Sequence, residues 1–276
     1  MRVDASRGRR YSVLMNGPTM FGNGLSHHGA LLVGYLLALI AWDRVSRRQT
    51  NLWPAPEPPA FAHPWRELGY CALGIVAVLG VGQLYQRHWL LPVHGTAGQP
   101  FEAINQLLIF SPVLAVPLIR KQGWASMWLP MHRVWQRVLI GLVLSLIAML
   151  AFVNLRAGTG KWVGVIRNVY HPKNLGNLVQ VLCEDVAIAI VFVRMRAAIG
   201  LLWSIMVVAV LFAAAHIPAM LSTGVGLDQI LSLVMDAGLG IVVLYFLQRS
   251  NDVWWFWLIH FSMDMMQFYA VPGVAH

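Results

Sequence analysis

The chain has 276 residues, 58% of them apolar and only 11% charged, with a formal net charge of +9. A soluble domain carries roughly 25% charged residues, so a water-soluble enzyme or binding module is excluded and an all-α polytopic membrane protein remains. The basic excess suits lipid phosphates at the ends of spans, and no nucleic-acid recognition motif accompanies it, so no nucleic-acid partner is expected.

Residues 1–24 carry Arg2, Arg7, Arg9 and Arg10 with no apolar core directly after them. They read as a short basic N-terminal arm without a cleavable signal pattern. Apolar runs of about the spanning length, roughly 20 residues, follow at 25–42, 68–86, 101–119, 138–153, 177–193, 198–217, 229–247 and 253–271. They predict about eight transmembrane helices in one transmembrane domain, residues 25–271. The connection 43–67 contains "WPAPEPPAFAHPW". It is too rich in proline for a continuous helix, and Trp53 and Trp65 suit it to lie along the membrane interface. The connection 154–176 reads as a partly ordered loop. Arg137 and Arg194 are counted with the topology-setting charges that flank the spans, and these divide almost evenly between the two faces, which leaves the orientation open. Cys71 and Cys183 fall in apolar runs as small packing residues, with neither metal-type nor disulfide spacing.

An ionisable residue within a span is a functional candidate, because burying its charge is costly. Glu102 sits at a span start, where it can face water or headgroups. Asp236 lies well inside the seventh run, beside Gly238 and Gly240, which permit close helix packing. The others gather in the last third. "CEDVAIAIVFVR" at 183–194 places Glu184 and Asp185 ahead of eight apolar residues; His216 ends the sixth run; His260 and Asp264 share a helix face four residues apart. Counting ~1.5 Å per helical residue puts Glu184 and Asp264 ~10 Å and His260 ~16 Å from the face that holds both termini. The two histidines and three acids can therefore meet in one pocket opening toward that face.

Three chemistries use these atoms. In a hydrolase a carboxylate takes a proton from water while histidines stabilise an oxyanion. In a metal centre two histidines and one or two carboxylates, here His216, His260, Glu184 and Asp264, hold zinc or iron, although no HExxH is present. In a redox or proton-translocating protein, His216 and His260 ligate haem or the acids relay protons.

Three motifs in order carry a resemblance: "EDVAIA" at 184–189, "FAAAH" at 212–216 and "HFSMD" at 260–264. They resemble the EExxxR, FxxxH and HxxxN/D motifs of the CAAX prenyl protease and bacteriocin-processing (CPBP, or Abi) family of intramembrane proteases, over about residues 177–271. The resemblance implies a CPBP-like helical core in the C-terminal half and an endopeptidase cutting a peptide bond near the membrane face. It assigns Glu184 to water activation and His216, which follows Phe212, to orienting that water. His260 and Asp264 fall where the oxyanion is stabilised, with Asp185 and Asp236 in support. It implies no cofactor, with zinc as the alternative, and it implies membrane lipids and a membrane-associated or prenylated protein or peptide substrate as partners. The expected setting is an integral, multi-pass protein of a prokaryotic cytoplasmic membrane. Three departures bear on activity. Asp185 stands where the family has a second glutamate, Ala189 where it has arginine, and Asp264 where many members have asparagine. A catalytically weakened member, acting as a membrane scaffold, chaperone or immunity factor, is the alternative in another class.

Overall fold

The apolar runs fold as helices. In the computed structural model, which describes residues 24–54, 59–156, 159–217 and 227–268, nine α-helices and no strands form among the described residues. They are α1 Gly24–Arg48, α2 Pro64–Gln86, α3 Gln99–Ile119, α4 Val134–Arg156, α5 Trp162–Val169, α6 Leu175–Ile199, α7 Leu201–Ala215, α8 Leu227–Ser250 and α9 Trp254–Phe268. Eight of them fall on the eight predicted spans. The exception is the short α5, in the connection read as a partly ordered loop. The basic arm lies outside the described residues up to position 23.

Local chemistry sets the boundaries. Pro64 opens α2, where its missing N–H costs nothing. Gly200, at φ +82°, reverses the chain between α6 and α7, a left-handed conformation that favours glycine. Five helices are long and apolar enough to cross a membrane: His27–Arg48 of α1, α2, α3, α4 and Leu233–Ser250 of α8. The other three predicted spans, α6, α7 and α9, do not meet that measure within the described residues. α6 carries Glu184, Asp185, Arg194 and Arg196, and α7 and α9 have 15 residues each. These are the three helices that bring the candidate site residues.

α9 packs against α4, α6 and α1, and α6 against α3, α2 and α7. α2 is the most exposed, with Leu73 and Val76 at 68% and 66% accessibility, as suits a lipid-facing surface. α4 and α9 meet closely at Gly141, where an added Cβ would lie 2.5 Å from the Trp255 carbonyl oxygen. α1 runs antiparallel to α9, since Gly34 meets Met263 and Trp42 stacks on Trp255 at 4.5 Å. Gly240 packs on Ala209 of α7, the close approach expected beside Asp236.

The face opposite the predicted pocket is held by two buried polar networks, and both correct the sequence reading. Arg137 is 1% exposed rather than a flanking surface charge. It bonds Asp252 at 2.5 Å and the Leu52 carbonyl. Trp53 is buried rather than interfacial, because its indole N–H donates to the same Asp252 at 2.7 Å. Asp252 also accepts from the Trp254 backbone N–H at 2.9 Å, capping α9. Arg194 is likewise fully buried, donating to the Ile190 and Ser126 carbonyls and to Gln122. Gln122 donates in turn to Glu67 at 2.7 Å, which pairs with Arg120 at 2.8 Å. Glu102 does not simply face water: Tyr85 and Gln106 donate to it at 2.8 and 2.7 Å. In each case a polar group inside the bundle requires a partner, which hydropathy does not reveal.

Candidate active site

Glu184 and Asp185 are consecutive on α6, so their side chains diverge by about 100° around the helix. Asp185 is buried against α9 and Glu184 is half-buried. Gln180, one turn earlier on α6, donates to Glu184 Oε1 at 2.8 Å. His260 of α9 donates from Nδ1 to Asp185 Oδ1 at 2.8 Å, and its Nε2 faces Asp264 Oδ1 at 3.5 Å. Two carboxylates thus fix the orientation of the ring. Phe256 stacks on it at 5.6 Å and Phe212 meets it edge-on at 6.0 Å.

His216 ends the short α7. Its Nδ1 hydrogen-bonds the Phe212 carbonyl at 3.0 Å, and its ring lies 5.1 Å from that of Phe212. Because α7 spans only about 22 Å at ~1.5 Å per residue, His216 stops within the depth of the bundle. Glu184 has His260, His216 and Asp185 as its ionisable neighbours. Asp264 has His260, Glu184, Asp185 and His216. The structure therefore brings Glu184, Asp185, His216, His260 and Asp264 together, with Phe212 between the two histidines. Asp236 stands to one side, beside His28 and His216, with a hydrogen bond to Gln267.

Among the described residues, no arginine pairs with Asp185. Ala189 is fully buried, and Arg194 is committed to the opposite face. His260 occupies the place of a cationic partner, while Asp185 Oδ2 is buried without a hydrogen bond among the described residues.

Glu184, His260 and Asp264 each offer a ligand atom within 4.8 Å of the others. One imidazole and two carboxylates suit zinc or iron, and Asp185 behind Nδ1 is the orienting partner that metal-bound imidazoles carry. His216 is not part of that group. For the haem alternative, Phe212 lies against both histidine rings, at 5.1 Å and 6.0 Å, and His260 Nε2 faces a carboxylate.

The sequence reading missed the contribution of α1. Tyr35 is 4% exposed and has Asp264, Asp185 and Asp236 as its electrostatic neighbours. Tyr35 and His28, seven residues apart, share one face of α1. That spacing of two polar rings in an apolar run was the available signal.

Residues 175–266 match the family model described as Type II CAAX prenyl endopeptidase Rce1-like, over a third of the chain. The match begins with α6 and takes in all three motifs, in agreement with the resemblance read from them. No curated protein and no solved structure matches the chain.

Proposed function

We propose, from the Rce1-like character of residues 175–266, that the chain is an intramembrane endopeptidase hydrolysing a peptide bond near the membrane face. The observation that carries this reading is the meeting of Glu184, His260 and Asp264 within 4.8 Å, with His216 close by, on the segment that matches a protease family. Glu184, steadied by Gln180, takes a proton from water as the oxygen attacks the scissile carbonyl. His216 orients that water. His260, aligned by Asp185 and Asp264, faces the oxygen on which negative charge develops. When the C–N bond breaks, Glu184 returns the proton to the leaving amine. The substrate class is a membrane-associated peptide, and a prenylated C-terminus is the first to try.

The test is cleavage of membrane-tethered and prenylated reporters by purified protein in lipid. Wild-type cleavage that is lost in Glu184→Ala and in His216→Ala supports the assignment; variants that cleave like wild type sink it. A wild type that cleaves nothing, but retains a co-purifying partner that Glu184→Ala also retains, establishes a scaffold instead.

A second reading rests on the same 4.8 Å cluster. A divalent metal held by Glu184, His260 and Asp264 would supply the activated water, with Asp185 orienting the imidazole.

A further inference from the structure

Arg137 and Arg194 are both fully buried, yet only one of them meets an acid. Arg137 pairs with Asp252 at 2.5 Å. Arg194, near the end of α6, has no carboxylate within ion-pair distance among the described residues; its partners are the Ile190 and Ser126 carbonyls and Gln122. The acid in its network is Glu67, reached only through Gln122. Glu67 is already held by Arg120, at 2.8 Å from Nη2 and 3.2 Å from Nε. Two guanidiniums thus share one carboxylate, and the network is left with an excess positive charge. The Phe61 ring, 5.4 Å from Arg194 Cζ, offsets part of it. A buried charge without a paired opposite charge is costly.

Two donors beside this charge are unused. Arg194 Nε and Ser126 Oγ are both buried without a hydrogen-bond partner among the described residues. They belong to neighbouring groups, because Arg194 Nη1 donates to the Ser126 carbonyl at 3.1 Å. A guanidinium N–H only donates, and a hydroxyl can turn its O–H the same way. Such a pair calls for an acceptor that carries negative charge. The surroundings suit one. Phe61 precedes Ala62, and residues 62–66 line an open cavity of about 490 Å³ at the start of α2. His63 and Arg66 stand in that lining and no acid does, which favours the approach of anions.

We propose that Arg194 Nε and Ser126 Oγ form a binding site for a small monovalent anion of the halide class, chloride in ordinary solution. The ion does for Arg194 what Asp252 does for Arg137. The site lies at the face opposite the candidate active site and does not depend on the peptidase reading.

The experiment follows the thermal midpoint of the full-length protein in lipid as sodium gluconate is replaced by sodium chloride. Ionic strength is held constant, so charge screening does not change. The midpoint is expected to rise and saturate, as for a ligand that binds the folded state, and sodium bromide is expected to act alike. Ser126→Ala removes a hydroxyl that has no partner, so its midpoint in gluconate is expected to match wild type. Its chloride response is expected to need about 10-fold more salt, the usual worth of one hydrogen bond to a charged group. Arg194→Met is expected to abolish the response; if that protein does not fold, Ser126→Ala decides alone. Crystals grown in bromide are expected to show an anomalous peak between Arg194 Nε and Ser126 Oγ. The inference is overturned if chloride and gluconate give the same midpoint, or if Ser126→Ala responds to chloride as wild type does. It is equally overturned if density at that place carries no anomalous signal, which marks a water only.

Discussion

Asp185 and His260 are 75 positions apart on different helices, yet a 2.8 Å hydrogen bond joins the carboxylate to Nδ1. Asp185 therefore has a partner although position 189 offers none. The second acid takes a histidine from α9 as its partner in place of an arginine from its own helix. Asp185→Asn is expected to lower kcat about 10- to 100-fold, the usual cost of losing a group that orients a functional imidazole. Ala189→Arg is expected to destabilise rather than rescue, since position 189 is fully buried. Steady-state kinetics and thermal melts of the two variants check this; an Ala189→Arg protein restoring Asp185→Asn would contradict it.

Glu184→Gln keeps the acceptor for Gln180 but cannot take a proton. Its kcat is expected to fall about 10²- to 10⁴-fold, the range of general-base contributions, with the melting temperature unchanged. A variant that loses stability and activity in parallel would mark Glu184 as structural.

The glutamate and metal readings diverge on metal removal. If Glu184 activates water unaided, a strong chelator leaves reporter cleavage unchanged. If the Glu184–His260–Asp264 cluster holds zinc, the chelator abolishes cleavage and added Zn²⁺ restores it. Elemental analysis of the purified protein then shows about one metal per chain, and Asp185→Asn weakens retention about 10- to 100-fold.

The Arg137–Asp252 pair carries stability rather than chemistry. Both side chains are fully buried, and Asp252 also holds Trp53 and the first turn of α9. Removing one partner of such a pair leaves the other buried and uncompensated, at a cost of about 3–5 kcal/mol. Asp252→Ala is expected to unfold at markedly lower denaturant while its folded fraction keeps wild-type kcat. Unfolding curves paired with active-fraction assays separate the two effects.

Glycines give a contrasting pair. Gly141→Val drives a side chain into the Trp255 backbone, where a Cβ already meets oxygen at 2.5 Å, and is expected to cost at least about 1–3 kcal/mol. Gly238→Ala finds open space in mid-helix and is expected to be neutral or to gain about 0.5–1 kcal/mol. Thermal melts rank them.

The helices were legible because lipid demands one signal, an apolar run, and a helix fell on each of the eight runs, although only five have the full length and apolarity of a span. Glu184, Asp185, His216, His260 and Asp264 were legible as a group because ionisable residues stand out in such runs and helix rise gives their depth. Arg137 and Arg194 were not. A charge near the end of an apolar run reads the same whether it meets headgroups or a buried carboxylate, and only the fold brings Asp252 or Gln122 to it. Tyr35 was missed for a related reason: its spacing from His28 marks one face of α1, but only the packing of α1 against α9 turns that face toward the acids.

The two polar networks join chain segments at the end of the bundle away from the candidate site. One ties the segment after α1 to α4 and the α8–α9 turn, and the other ties α6 to α2 and the α3–α4 connection. Three connections that hydropathy reads as loops are therefore cross-linked by buried ionic contacts, and they are expected to open together with the bundle rather than one at a time.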